Sequence, residues 1–554
     1  MRDILAQVAL GFLLMSAQGI SQVAQPASTR SARSGGYRIA GTVVNAVTGE
    51  PLHHATVAAL SEEDSHTVAA AVSDNEGHFS LDGLAGAKYQ LTASKRGYRN
   101  AFFDEHGDYN SAIVTGPGQD TANLTFKLVP GGVVYGVVST EGGDPVEGAR
   151  VMLFRKFKNG KPGGMTAPSD TTGTDDTGAF EFDDLVAGEY YLAVSAEPWY
   201  AMHRNARRDK RNAAQGASGD PANALDVAYP IAFFDSTTEE AAATRIVVAG
   251  GSRQEADVNL HAVPALKIEV DAPHKPDGQL ARAELRQTVF GVVVGAESNN
   301  FADSAQTGTI EFDGVAPGHY ELLQGDPPRV AELDASASEQ VDPTLGMTTV
   351  AVRGTLHNAA GGILAGECNV SLASADGHQY PEQAACLGGA FSFNSVPPGR
   401  WEFTAESGGR QLPVAAITVG GRTHEGNVIS VQDRPLTVEV KISEGATRLE
   451  GIAKRENKGA SGVMVELVPR NLAGMDGLVR RDQSDSDGSF SLRDVVPGQY
   501  TLVAIEDGWD LDWADPRVMA RYLPGGIAVT VSDRPEKVIS LSASVPVQAR
   551  QAAN

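Results

Sequence analysis

Three acidic turns are the first residues in this 554-residue chain whose types suggest chemistry: Asp74-Asn75-Glu76-Gly77, Asp175-Asp176-Thr177-Gly178 and Asp485-Ser486-Asp487-Gly488. Clustered carboxylates around a glycine invite a calcium reading, but a helix-loop-helix calcium loop closes with a bidentate glutamate at its twelfth position. Counting from Asp482 reaches Arg493, and counting from Asp485 reaches Val496. The turns are therefore read as structural, with the aspartate capping and the glycine supplying a positive φ. Zinc hydrolysis would need His-x-x-Glu with a distant histidine, and none of the 12 histidines has Glu at the third following position. The adjacent pair His53 and His54 is expected to point to opposite faces of a strand or across a turn, in a surface role. His-Glu-x-x-His, Gly-x-Ser-x-Gly and phosphate-loop patterns do not occur either. The expectation is no catalytic residue, no metal ligand, no cofactor and no enzyme.

Two further sets of side chains remain. Cys368 and Cys386 are the only cysteines, and an even pair in an oxidising compartment suggests a disulfide, with two free thiols as the alternative. Tyr98, Phe102, Phe103, Trp199, Tyr200, Trp509 and Trp513 stand on excursions such as GYRNAFFDEHGDY, EPWYAMHR and DGWDLDWADPRVMARYLPGG. Flat rings on loops near aspartates suit stacking on sugar faces or gripping a peptide. Tyr98, Phe103, Trp199, Tyr200, Trp509 and Trp513 are the candidate ligand-binding set. The competing reading is packing, because Trp509 and Trp513 are four apart and would share one helical face.

The elements that must position these groups are written in a repeat. SDNEGHFSLDGLAGAKYQLTA, TDDTGAFEFDDLVAGEYYLAV, GTIEFDGVAPGHYEL, GAFSFNSVPPGRWEF and SDSDGSFSLRDVVPGQYTLVA reduce to G-x-F-x-[FL]-x-x-[LV]-x-x-G-x-Y-x-L. Ile310 replaces the first Phe in one copy, and Trp401 replaces the Tyr in another. The period of two within each apolar run predicts half-buried antiparallel strands. The predicted core residues are Phe79, Tyr89, Phe180, Tyr190, Phe312, Tyr320, Phe391, Trp401, Phe490 and Tyr500.

Before each repeat stands a strand, a polar turn and a second strand, as in RIAGTVVNAVTGEPLHHATVAAL. After it come two strands around a turn, as in GIAVTVSDRPEKVISLSAS. Six or seven short strands per unit predict an all-β chain of five tandem Greek-key β-sandwiches. The expected spans are 37–130, 131–264 with a basic insertion, 265–350 as the most divergent unit, 351–445 and 446–545. Residues 1–36 read as signal peptide and linker, and 546–554 as a tail.

The run GTVVNAVTGEPLHHATV followed by SDNEGHFSLDGL and KYQLTA resembles the carboxypeptidase regulatory-like domain, a transthyretin-like (prealbumin-like) sandwich with a carbohydrate-binding-like fold. The more divergent copies are similar to collagen-adhesin B-type domains. That resemblance implies a fold more firmly than a function. Adhesin domains of this type often carry Lys–Asn isopeptide bonds, but RIAGTVV and VVYGVV have no lysine. Lys267 begins a unit whose end, GMTTVAV, has no asparagine, so none is expected.

Composition bounds the partners. The formal net charge of −24 repels nucleic acid and anionic lipid, and the basic run HRNARRDKRN (203–212) reads either as a solvated loop or as a local anion site. MRDILAQVALGFLLMSAQG reads as a secretory signal, and no later apolar run approaches the roughly 20 residues of a spanning helix. The expectation is an exported, periplasmic or extracellular, non-catalytic binding or scaffold protein. Its partners would be polysaccharide or envelope proteins. The alternatives are a structural spacer or adhesive rod, or a non-catalytic accessory of a secreted peptidase.

Overall fold

The computed structural model describes residues 36–551 apart from 63–64, 158–164, 202–225, 272–282, 299–308, 326–327, 343, 359, 375–381, 409, 444–446, 471–477, 514 and 533–536. The proposed signal and the basic run at 203–212 lie outside the described residues. The regular structure of the described chain is almost all strand, with one four-residue α-helix, Pro516–Met519.

One wiring pattern recurs five times. The first strand of each unit pairs antiparallel with the strand carrying the repeat phenylalanine and parallel with a strand near the unit's end. In the first unit Tyr37–Asn45 lies between His78–Leu84 and Leu124–Leu128. Leu266–Asp271 lies between Thr309–Val315 and Glu339–Val341, and Thr447–Arg455 between Ser489–Val495 and Val538–Ser540. The repeat tyrosine strand belongs to the facing sheet, as in Thr67–Val72, Thr56–Ser61, Lys88–Lys95 and Tyr98–Phe102. Alternate residues from the two sheets fill five separate cores, one per sandwich. All ten predicted core residues are buried.

Two packing devices explain the repeat. In four of the five units a glycine of the first strand lies directly opposite the repeat phenylalanine: Gly41 opposite Phe79, Gly136 opposite Phe180, Gly354 opposite Phe391 and Gly451 opposite Phe490. A Cβ on Gly354 would stand 2.3 Å from Phe391 Cζ, and one on Gly451 2.5 Å from Phe490 Cζ. In those two units the ring occupies the volume a side chain would take. The second device is a tether. The tyrosine hydroxyl donates to the carbonyl four residues earlier, from Tyr190 to Val186 at 2.7 Å, Tyr320 to Ala316 at 2.8 Å and Tyr500 to Val496 at 2.9 Å. Tyr89 reaches Ala85 at 3.2 Å. Trp401 satisfies the same requirement with its indole N–H, 2.9 Å from the Pro397 carbonyl. A buried ring with a donor at its tip closes the turn onto the core, which phenylalanine cannot do.

In the fourth unit Glu367–Ser374 and Glu382–Leu387 are antiparallel neighbours, and Cys368 faces Cys386 in a disulfide. The units also touch along the chain. Phe290 inserts among Phe154, Tyr191 and Phe233 of the second unit, and Ala415 packs on the core of the fifth unit. The fifth unit then returns to the first, so the chain folds back and its two terminal sandwiches meet.

Candidate functional sites at the aromatic corners and the terminal junction

Turn geometry comes first, because it positions everything else. Asp74 Oδ1 accepts from the Glu76 and His78 amides at 3.0 and 2.7 Å, and Asp175 Oδ1 accepts from those of Thr177 and Ala179, both at 2.9 Å. Gly77, Gly178 and Gly488 all have positive φ. These bonds hold the Asp175 carboxyl below the usual carboxylate range, the Thr177 hydroxyl contributing most. The carboxylates of the first two turns are spent on backbone. Among the described residues no group of three or more His, Cys, Asp or Glu is arranged to hold a metal. His53 and His54 lie exposed on a turn, as the second of the two expected arrangements has it, with their Nδ1 atoms 3.1 Å apart and His54 at φ 55°. Lys267 lies between Glu269 and Glu311, at 3.0 and 2.9 Å.

The aromatic corners fall into three environments. Tyr98 and Phe103 pack against the first core, with the Tyr98 hydroxyl accepting from Asn45 and Phe103 edge-on to Phe126 at 5.6 Å. Their rings are directed inward. In the second unit Trp199 is 81% exposed and meets Tyr200 edge-on at 5.6 Å. Tyr200 is hydrogen-bonded to Tyr229, whose hydroxyl is pushed up to about 12, first by burial and then by that bond. Trp401, by contrast, is 1% exposed.

In the fifth unit Trp509 sits on the single turn Gly508–Asp510 and Trp513 lies beyond it, so the two do not share an α-helix. Both nevertheless pack on a second apolar layer formed by Met464, Val468, Val503, Ile505, Met519 and Tyr522. Trp509 stacks on His106 and Tyr109 of the first unit, at 5.2 and 5.3 Å. Arg481 lies over the Trp513 ring at 4.0 Å and the Tyr109 ring at 5.2 Å, a cation–π clamp built from both terminal units.

The rest of this junction is polar. Asp485 has turned away from the capping role of Asp74 and Asp175. Its Oδ1 accepts from the Ala112 amide at 2.9 Å and its Oδ2 from Lys88 Nζ at 2.6 Å, while Asp487 takes over the Ser489 amide at 2.9 Å. Around it Ser486 N donates to Ala112 O, Val114 N to Ser486 Oγ, and Ser111 Oγ to Ser484 O. Gln483 donates to Ser111 Oγ at 2.9 Å and faces His106 Nδ1 at 2.9 Å. Burial raises the Asp485 carboxyl although Lys88 opposes the shift. Burial also works against the Lys88 charge, but the Asp485 carboxylate outweighs it and raises that pKa. Asp482 is pushed up to about 7, first by burial, with Asp485 adding to it.

Glu466 lies between Met464 and Val468 in strand Met464–Pro469, opposite Arg481. It is 0% exposed, neither carboxyl oxygen has a hydrogen-bond partner, and burial lifts it to about 8 against the pull of Arg481. Sequence reasoning did not single out this group or the junction. A glutamate inside the apolar run GVMVELVP was the available signal; nothing local announces that residues 104–114 and 481–488 meet.

The model of the carboxypeptidase regulatory-like domain matches residues 38–129 and 133–207. That of the BOS complex subunit NOMO1-like second beta sandwich domain matches 448–521. No curated protein matches. Among solved structures, the chain is similar to the Bacillus anthracis TIE protein, at 10% identity over 89% of this chain and 67% of that one, with a TM-score of 0.15. Two B repeat units of the Staphylococcus aureus collagen binding protein match at 10% identity over 73% and 99% of the respective chains, with a TM-score of 0.12. A putative carbohydrate binding protein from Pseudomonas aeruginosa matches at 18% identity over 17% and 88%, with a TM-score of 0.12. Residues 38–129 and 133–207 match the carboxypeptidase regulatory-like domain, and the described chain is built of tandem β-sandwiches.

Proposed function

We propose that this is an exported, non-catalytic scaffold whose second unit presents Trp199 as a stacking platform for the face of a sugar ring. The carrying observation is the contrast among the four tryptophans. Trp401 is core, Trp509 and Trp513 are engaged at the terminal junction, and Trp199 alone of the four is largely exposed. The Trp199 indole stands in water with Tyr200 edge-on beside it, and a flat ring so presented suits stacking on a ligand face. The return of the fifth unit onto the first favours a folded-back scaffold over a straight spacer rod.

A glycan array with the wild-type chain and Trp199→Ala tests the reading. Binding that disappears in the variant at unchanged melting temperature supports the platform. No glycan signal in either protein, or equal signal in both, sinks it. Screening the purified chain on peptide, ester and glycoside substrates tests the non-catalytic part. Turnover abolished by one point substitution overturns that part.

A further inference from the structure

We propose that the contact between the first and fifth units is a proton-linked latch, closed when the carboxyls beneath the Arg481 clamp carry protons and opened by their ionisation. The geometry carries the argument. Glu466 and Arg481 are register partners on the same sheet face, yet no hydrogen bond joins them. The guanidinium is instead held over Tyr109 of the first unit and Trp513 of the fifth. The carboxyl beneath is left in an apolar layer with no partner for either oxygen. A carboxylate there would be an uncompensated buried charge, so the closed form holds the acid protonated. Separating the units removes His106 and Tyr109, the latter one of the two rings that hold the Arg481 guanidinium away from Glu466, and leaves a weaker hold on it, by Trp513 alone of the two. The open form can therefore accommodate the anion.

The surrounding charges oppose one another: Arg481 pulls the Glu466 carboxyl down against burial, and Lys88 favours the Asp485 anion. Arg481 is the charged group that acts on Glu466. From the segment laid over the same face, Asp515 pairs with Arg517 and Asp510 with Arg550, with Asp512 between them in sequence. From the first unit come Lys88, Glu62, Asp104, His106 and Tyr109. Of these, Lys88 favours the Asp485 anion and Glu62 opposes it. Asp485 presses on Asp482 as a like charge, and Ser489 Oγ donates to both Asp485 and Asp487 in the same turn. Glu466 at about 8 and Asp482 at about 7 are both raised, far above the ordinary carboxyl value of about 4. A proton bound by the closed form and released by the open form weakens closure about tenfold per pH unit between the open-form and closed-form values. Closure is thus strongest below the ordinary carboxyl range, declines as pH rises toward about 8, and levels off above it.

The experiment is small-angle scattering of the full chain from pH 5 to 9, with Trp509 fluorescence as a local reporter and far-UV circular dichroism as a check on folding. The expected result is a radius of gyration that grows with pH while the strand signal is unchanged. Glu466→Gln is expected to shift the transition to higher pH or flatten it, and Tyr109→Ala to open the chain at lower pH. Asp482→Asn is an independent second variant, expected to move the profile in the same direction as Glu466→Gln. A wild-type radius that does not change with pH overturns the latch. So does a transition that Glu466→Gln and Asp482→Asn both leave in place, or one that coincides with loss of strand signal.

Discussion

Val270 pairs with Ile310 on the neighbouring strand of one sheet in the third sandwich, in the register where the other four units set a glycine against a phenylalanine. The divergent unit has exchanged one large and one vanishing side chain for two of intermediate size. Volume across the strand pair is shared differently, and the core closes in both cases.

Gly354→Val should therefore destabilise the fourth unit by about 1–3 kcal/mol, because its Cβ would enter the space of Phe391. Adding Phe391→Ile should recover part of that loss, a non-additivity expected of residues in direct contact. Urea melts of the two single variants and the double variant check the cycle.

The tyrosine tether predicts a modest, specific loss. Tyr500→Phe removes the 2.9 Å bond to the Val496 carbonyl while keeping the ring, at about 1 kcal/mol. Tyr500→Ala also empties the core position and should cost about 3–5 kcal/mol. Thermal unfolding of the full chain, followed by limited proteolysis to locate the unit that opens, separates the two.

Breaking the terminal junction should change shape more than stability. Asp485→Ala removes acceptors from the Ala112 amide and Lys88, a loss of about 1–3 kcal/mol for bonds to a charged group. The expected readout is faster proteolytic cleavage between residues 104 and 114, with the other four cores still protected.

Replacing the buried carboxyl tests its sign. Glu466 has a folded pKa of about 8, above its unfolded value, so the native state binds the extra proton. The stability associated with that proton is fully present below the unfolded pKa and is lost as pH rises through about 8. Glu466→Leu should be near neutral in acid and stabilising by roughly 1–4 kcal/mol in alkaline buffer. Melting temperatures at pH 5 and pH 9 check this.

Reduction of Cys368–Cys386, which spans 18 residues, should lower the stability of the fourth unit by about 2–4 kcal/mol. Denaturant melts with and without reductant, compared with Cys368→Ala/Cys386→Ala, measure it.

The strands, the hairpin turns and the identity of the core were legible in the chain, because each is enforced within a few residues. Alternation of two places Phe490 and Leu492 on one face, and Asp-x-x-Gly supplies both a cap and a positive φ. The repeat Tyr could be read as core, but its reason could not: the hydroxyl bond to a carbonyl four residues back exists only once the turn has its shape. Trp199 and Trp509 look alike in sequence, each followed by further aromatic or acidic residues on a loop. Only the tertiary structure parted them, because His106 and Tyr109 lie some four hundred residues from Trp509 along the chain yet stack against it. Asp485 shows the same division. Its turn was written locally, like those of Asp74 and Asp175, but its partner Lys88 was chosen by how five rigid sandwiches fold back on one another. That arrangement depends on contacts between surfaces, where side chains distant in sequence compete with water, and no local period records it.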